Sequence, residues 1–167
     1  MKKADKLNAL SVRDHALAAH ADFIELISRR IKSAALKAAE HDLIFAANPG
    51  EESERNKAAI GHAKVLGLKD ALRLYGGKKG GVVAVEDEEL QRILFQVRAQ
   101  MRSRMHQFTE KACYRANQVW TTPATSIKHQ QARALALNLH GQIEAYQDAL
   151  EVYDKCFNDL ESRACLV

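Results

Sequence analysis

A chain of 167 residues with 28% charged residues, 47% hydrophobic residues and two prolines is long enough for one self-supporting core and too apolar to be mainly disordered. Its three cysteines, Cys113, Cys156 and Cys165, are odd in number and widely spaced, which argues against a disulfide framework or a zinc knuckle and fits a reducing compartment. The formal charge is +4, no apolar run approaches a membrane span, and the basic start is followed by Arg13, Asp14 and His15 instead of an apolar signal core; a cytoplasmic or intracellular location is expected, with signal-less export as the other route.

The stock of Ala, Leu, Lys, Arg, Glu and Gln favours helix throughout. The first helix is expected over 12–47, with Ser11 as its N-cap and Asp14 three residues on. Ala16, Phe23, Ile27, Ile31, Ala34 or Ala35, Ala38 and Phe45 recur at three- and four-residue steps and mark its core stripe. Asn48-Pro49-Gly50 then breaks the run, with Asn48 as cap and Pro49 at the first position of a second helix over 49–75. Ala58, Gly61, Val65, Leu68, Leu72 and Tyr75 form its seam, and Gly76 and Gly77 end it. The stretch Gly76-Gly77-Lys78-Lys79-Gly80-Gly81 opens a joint over 76–85; it lacks the P-loop order of glycines followed by Gly-Lys-Ser/Thr.

A third helix is expected over 87–119, with Leu90, Leu94, Val97, Met101, Met105, Phe108, Ala112 and Val119 inward and Trp120 at its end. Thr121-Thr122-Pro123-Ala124-Thr125-Ser126 is the next punctuation, with Thr122 or Thr125 as cap. The fourth helix runs from there to about residue 164; Ala132, Ala136, Leu139, Ile143, Tyr146, Leu150, Tyr153, Phe157 and Leu160 carry the strongest periodicity in the chain.

Two of these helices repeat each other 78 residues apart: His62, Val65, Leu68, Asp70, Ala71, Leu72 and Tyr75 answer to His140, Ile143, Tyr146, Asp148, Ala149, Leu150 and Tyr153. The expected fold is therefore all-α, a single domain over 1–167: an elongated four-helix bundle of two antiparallel hairpins, about 12–75 and 87–164, with the signature of an internal duplication.

Charge is uneven along the chain. Between Arg92 and Arg133 there are eight basic residues against Glu110 alone, whereas between Glu144 and Glu161 there are six acids and one lysine. The basic surface of helix three, with Arg98, Arg102, Arg104 and Arg115, can meet nucleic-acid phosphates or the acidic end of another copy. No helix-turn-helix spacing, zinc-finger ligand set or RNA-binding sheet motif accompanies it. Tyr75, Trp120, Tyr146 and Tyr153 are the candidate interface aromatics, since tyrosine and tryptophan bury a ring while keeping a polar tip at the rim.

Chemistry is sparse. His106 with Glu110 and His140 with Glu144 are i,i+4 pairs, but the Glu-x-x-His repeat of di-iron bundles does not occur, so no metal and no cofactor is expected. No serine or cysteine has a recognisable nucleophile environment, and no enzyme activity is expected. The sequence reads as a non-enzymatic helical interaction or assembly protein, self-associating and docking another macromolecule through a protein partner or as a homo-oligomer. The alternative is a nucleic-acid-binding accessory that uses the helix-three arginines.

Overall fold

The computed structural model describes residues 3–76 and 96–164, with side-chain surroundings over 14–76 and 96–158. These residues form four helices: α1 (Lys3–Ala47), α2 (Glu52–Gly76), α3 (Arg98–Thr121) and α4 (Ile127–Ala164). There is no strand among them. The expected joint, the β-like run at 82–85 and the start of helix three at Asp87 lie outside the described residues. With 45 and 38 residues, α1 and α4 are rods of about 67 and 57 Å, which makes the bundle elongated.

The helices end for local reasons, and three expected caps are corrected. Ser11 lies inside α1, which already runs from Lys3, so no helix begins there. Asn48 and Pro49 form a turn in which the Glu51 N–H donates to the Asn48 carbonyl at 3.0 Å, and α2 begins only at Glu52. Pro49 thus supplies the fixed φ of a turn's second residue instead of a first helical position. At the second hairpin neither threonine caps α4: the Ser126 Oγ accepts from the His129 N–H at 3.1 Å. Thr122 closes α3 instead, donating from Oγ1 to the Gln118 carbonyl at 2.6 Å. Its extended backbone, φ −113° and ψ 143°, is what the following Pro123 ring imposes.

The bundle is organised around α4. The α2–α4 and α3–α4 interfaces are the most extensive, α1 packs on α2 and to a lesser degree on α4, and α2 barely meets α3. Cross-helix pairs give the directions. Asp42–His62 and His20–Tyr75 make α1 and α2 antiparallel, and Arg98–Asp154 with Phe108–Tyr146 do the same for α3 and α4. Glu52–Arg133, Lys64–Glu144 and Asp70–Tyr146 make α2 and α4 parallel.

The two repeated helices are therefore direct neighbours, and repeat-equivalent residues touch. A Cβ added at Gly141 would come within 2.7 Å of Ala63 Cβ, and one added at Gly67 within 2.6 Å of Ala145 Cβ. Ala63 corresponds to Gly141 and Gly67 to Ala145 under the 78-residue shift, so a local two-fold pseudo-symmetry runs through the crossing. The repeated aspartates serve it too: Asp70 on α2 accepts from the Tyr146 hydroxyl on α4 at 2.8 Å, and Asp148 on α4 pairs with Lys64 on α2 at 3.0 Å. Each copy's aspartate thus reaches the other copy's helix.

The core widens beyond this crossing. Phe23, Tyr75, Tyr153 and Phe157 are fully buried; Phe23 and Tyr75 lie 4.1 Å apart between ring centroids, and Tyr153 stacks on Phe157 at 4.7 Å. His20 Nδ1 sits 2.6 Å from the Tyr75 hydroxyl and so gives the buried phenol a polar partner. Burying each of Phe23 and Phe157 contributes about 2–3 kcal/mol.

Candidate functional site

Three of the four aromatic interface candidates lie in the chain's own core: Tyr75, Tyr146 and Tyr153 have no exposed surface. Burial and the neighbouring Asp70 carboxylate push the Tyr146 phenol well above its ordinary range. Trp120 is placed oppositely, 85% exposed in the last turn of α3. Ile127, 72% exposed at the first position of α4, stands on the other side of the connecting turn, and Tyr114 is exposed two turns back on α3.

Leu43 and Ile44 near the end of α1, and Leu135 near the start of α4, are also exposed. The Glu52–Arg133 pair at 2.6 Å fixes the starts of α2 and α4 at one level, so both hairpin turns lie at the same end of the bundle. Among the described residues, most of the large exposed apolar side chains lie toward that end. Farther along α1, Leu36 and Leu43 are both exposed and seven residues apart, which sets them on one side of the helix.

The four candidate arginines divide. Arg98 pairs with Asp154 on α4 at 2.9 Å and is only 24% exposed along its side chain. Arg115 donates to Gln118 at 2.7 Å and lies over the Tyr114 ring at 5.4 Å. Arg102 and Arg104 are exposed on α3, a helix whose only fully buried residue is Met101. The structure brings Arg98 into the α3–α4 seam and leaves Arg102 and Arg104 facing solvent.

The acidic stretch of α4 is partly paired within the chain. Asp148 and Glu151 pair with Arg30 on α1 at 3.2 and 3.4 Å, and Asp148 and Glu144 pair with Lys64 on α2 at 3.0 and 3.4 Å. These pairs lie on a groove of about 780 Å³ between α1, α2 and α4, with Ala34, Ala38, Ile60 and Gly61 on its apolar side. At its far end Glu54 is nearly buried; hydrogen bonds first from Lys57 and then from His41, both at 2.6 Å, hold its carboxyl below the usual range.

The histidine pairs are surface features. His106 lies 3.4 Å from Glu110 and His140 lies 3.2 Å from Glu144, each within one helix. The repeat-equivalent His62 contacts Asp42 on α1 at 2.7 Å. Among the described residues no group of three or more His, Cys, Asp or Glu converges on one point. No helix among them is long and apolar enough to cross a membrane. Cys113 is exposed, whereas burial, with the Asp22 charge adding to it, raises the Cys156 thiol.

Sequence periodicity misses Gly67, Gly141, Ala63 and Ala145, because small residues add almost nothing to an apolar stripe. Their four-residue spacing inside the repeat, Ala63 to Gly67 and Gly141 to Ala145, is the signal that marks a close helix crossing. Comparison with family models, curated protein sequences and solved structures finds no match to this chain.

Proposed function

We propose that this chain is a non-enzymatic helical interaction or assembly protein, which self-associates and docks another surface through the hairpin-turn end of its bundle. The observation that supports this reading is the exposure of Trp120 and Ile127 on either side of the α3–α4 turn. A tryptophan left 85% exposed in a chain that buries three of its four tyrosines has no packing role of its own. Tryptophan is also among the residues that concentrate binding energy in interfaces. Self-association is supported separately by Leu36 and Leu43, an exposed pair one heptad apart on the longest helix.

Sedimentation velocity at micromolar concentration tests self-association. A dimer or larger species that reverts to monomer in a Leu36→Lys/Leu43→Lys variant is the expected result. A strict monomer removes self-association and leaves docking of a different partner. The nucleic-acid alternative draws on Arg102 and Arg104, which face solvent. It predicts a salt-dependent mobility shift of DNA or RNA that is lost on charge reversal of these two residues; no shift at low salt removes it.

A further inference from the structure

We infer that the surface recognised by the α3–α4 hairpin tip is an anionic lipid surface, which deepens the docking reading above and rests on it. From Lys111 to Ile143 the chain holds Lys111, Arg115, Lys128 and Arg133 and no Asp or Glu. Within that acid-free stretch the turn is flanked by Trp120, Ile127 and Lys128, all exposed. The tip therefore offers an indole, a branched aliphatic side chain and a cation together on a convex turn. Convex apolar groups need a matching pocket on a protein, but a bilayer interface admits them without one. Indole rings partition to the headgroup level, where adjacent lysines meet anionic lipids.

Charge placement favours lipid over nucleic acid at this tip. Arg133 is paired with Glu52, whereas Lys111, Arg115 and Lys128 have no ion pair among the described residues; Arg115 is held by the neutral Gln118 and the Tyr114 ring and keeps its charge, and Lys111 lies nine residues, about 13 Å, back from Trp120. Three cations, of which only Lys128 lies at the turn itself, are few for a phosphate-tracking groove, whose affinity scales with the number of phosphates neutralised. They suffice as partners to an inserted indole and isoleucine. Of the acids at the neighbouring α1–α2 turn, Glu51 is exposed and has no ion pair among the described residues, so it sets one negative charge against the cations at this end. Glu52 is level with Arg133, six residues or about 9 Å back from Ile127, and its charge is already paired.

Trp120 is the chain's only tryptophan, so intrinsic fluorescence of the full chain reports on the tip directly. Vesicles of mixed phosphatidylcholine and phosphatidylglycerol are expected to move its emission to the blue at low salt, and phosphatidylcholine alone to leave it nearly unchanged. Ile127→Ser and Lys128→Glu each lower partitioning about tenfold, while helical content and unfolding midpoint stay unchanged because both side chains are exposed. Co-sedimentation with the same vesicles serves for Trp120→Ala. An unshifted emission with the anionic vesicles, or an equal shift with neutral ones, overturns the proposal. A shift on adding an oligonucleotide or on raising protein concentration, with none from vesicles, overturns the lipid assignment and leaves the tip as a docking surface. A spectrum that stays water-like in all three overturns the lipid assignment and removes nucleic acid and a second copy as occupants of the tip.

Discussion

The α2–α4 crossing makes a quantitative demand on Gly141. Replacing it with alanine would press the new methyl onto the Ile60 carbonyl oxygen, with Ala63 Cβ at 2.7 Å and Lys64 N at 3.0 Å. Two of these three obstacles are backbone and cannot rotate away, so the helices must separate by about 1 Å to restore ordinary contact. A gap of that size forfeits about a quarter to a half of the dispersion energy of each contact at the crossing. Overpacking costs about 1–3 kcal/mol, and about 2–3 kcal/mol where, as here, backbone atoms are the obstacle, against a helix-propensity gain of about 1 kcal/mol for glycine to alanine. Gly141→Ala is therefore expected to destabilise by about 1–2 kcal/mol net, despite being the better helix former.

The repeat supplies an internal control. At Gly67 the nearest obstacle is the Ala145 methyl at 2.6 Å, with Gln142 Cα farther away at 3.2 Å. Exchanging the two residues, Gly67→Ala with Ala145→Gly, moves the methyl across the interface and keeps one glycine in the pair. The double variant should recover most of the loss caused by Gly67→Ala alone. The corresponding exchange, Gly141→Ala with Ala63→Gly, leaves the clash with the Ile60 carbonyl in place and should recover little. Gly50→Ala, with nothing within 4 Å of the added atom, should be close to neutral. Urea midpoints with slopes compared across the series measure all of this. A Gly141→Ala protein as stable as the parent, or an equal rescue by both exchanges, would refute backbone contact at this crossing.

Other outcomes follow from single side chains. Tyr146→Phe removes the donor to Asp70 and should cost about 1 kcal/mol in urea unfolding; no loss would mean that solvent already serves Asp70. Because the folded protein holds the Tyr146 phenol above its ordinary value of 10.0, the stability this provides is fully present below that pH and is lost as pH rises further. Absorbance at alkaline pH should show the Tyr146 phenol ionising late, and Tyr146→Phe should remove its contribution to the titration. Glu54 has the opposite sign: its carboxyl is held below 4.5 by Lys57 and His41, so its contribution is present above that pH and disappears as pH falls through the lowered folded value. Glu54→Gln should flatten this part of the stability profile, and an unchanged profile would refute the assignment. In native protein, peptide mapping after thiol alkylation should find Cys113 modified and Cys156 protected until unfolding, since Cys156 is half-buried with a raised thiol; equal labelling rates would contradict the packing.

Much of the fold is legible in residue spacing. Phe23, Ile27, Ala34 and Ala38 on α1, Met101 on α3 and Tyr146, Leu150, Tyr153 and Phe157 on α4 recur at helical period and are buried as that period requires. Turn positions are legible for the same local reason, through Pro49 and Pro123, although the capping atoms are not. Ser126 caps α4 because the chain leaves the extended pre-proline residue with its backbone aligned four residues later than Thr122, a matter of three-dimensional path. The candidate surface is half legible: an aromatic at a helix end is visible in sequence, but whether it covers the bundle or projects from it depends on where neighbouring helices stop.

Four helices, their order, their apolar stripes and the kinship of α2 and α4 are all legible in residue spacing, because helical periodicity and turn chemistry are local. Tertiary structure alone decided that the two repeated helices lie side by side and parallel, since that depends on how closely backbones can approach at Gly67 and Gly141. It also decided the fate of the aromatics and charges. Three of the four tyrosines were drawn into the core where the helices converge, Arg98 was taken by Asp154 across the α3–α4 seam, and Trp120 was left outside in the last turn of α3.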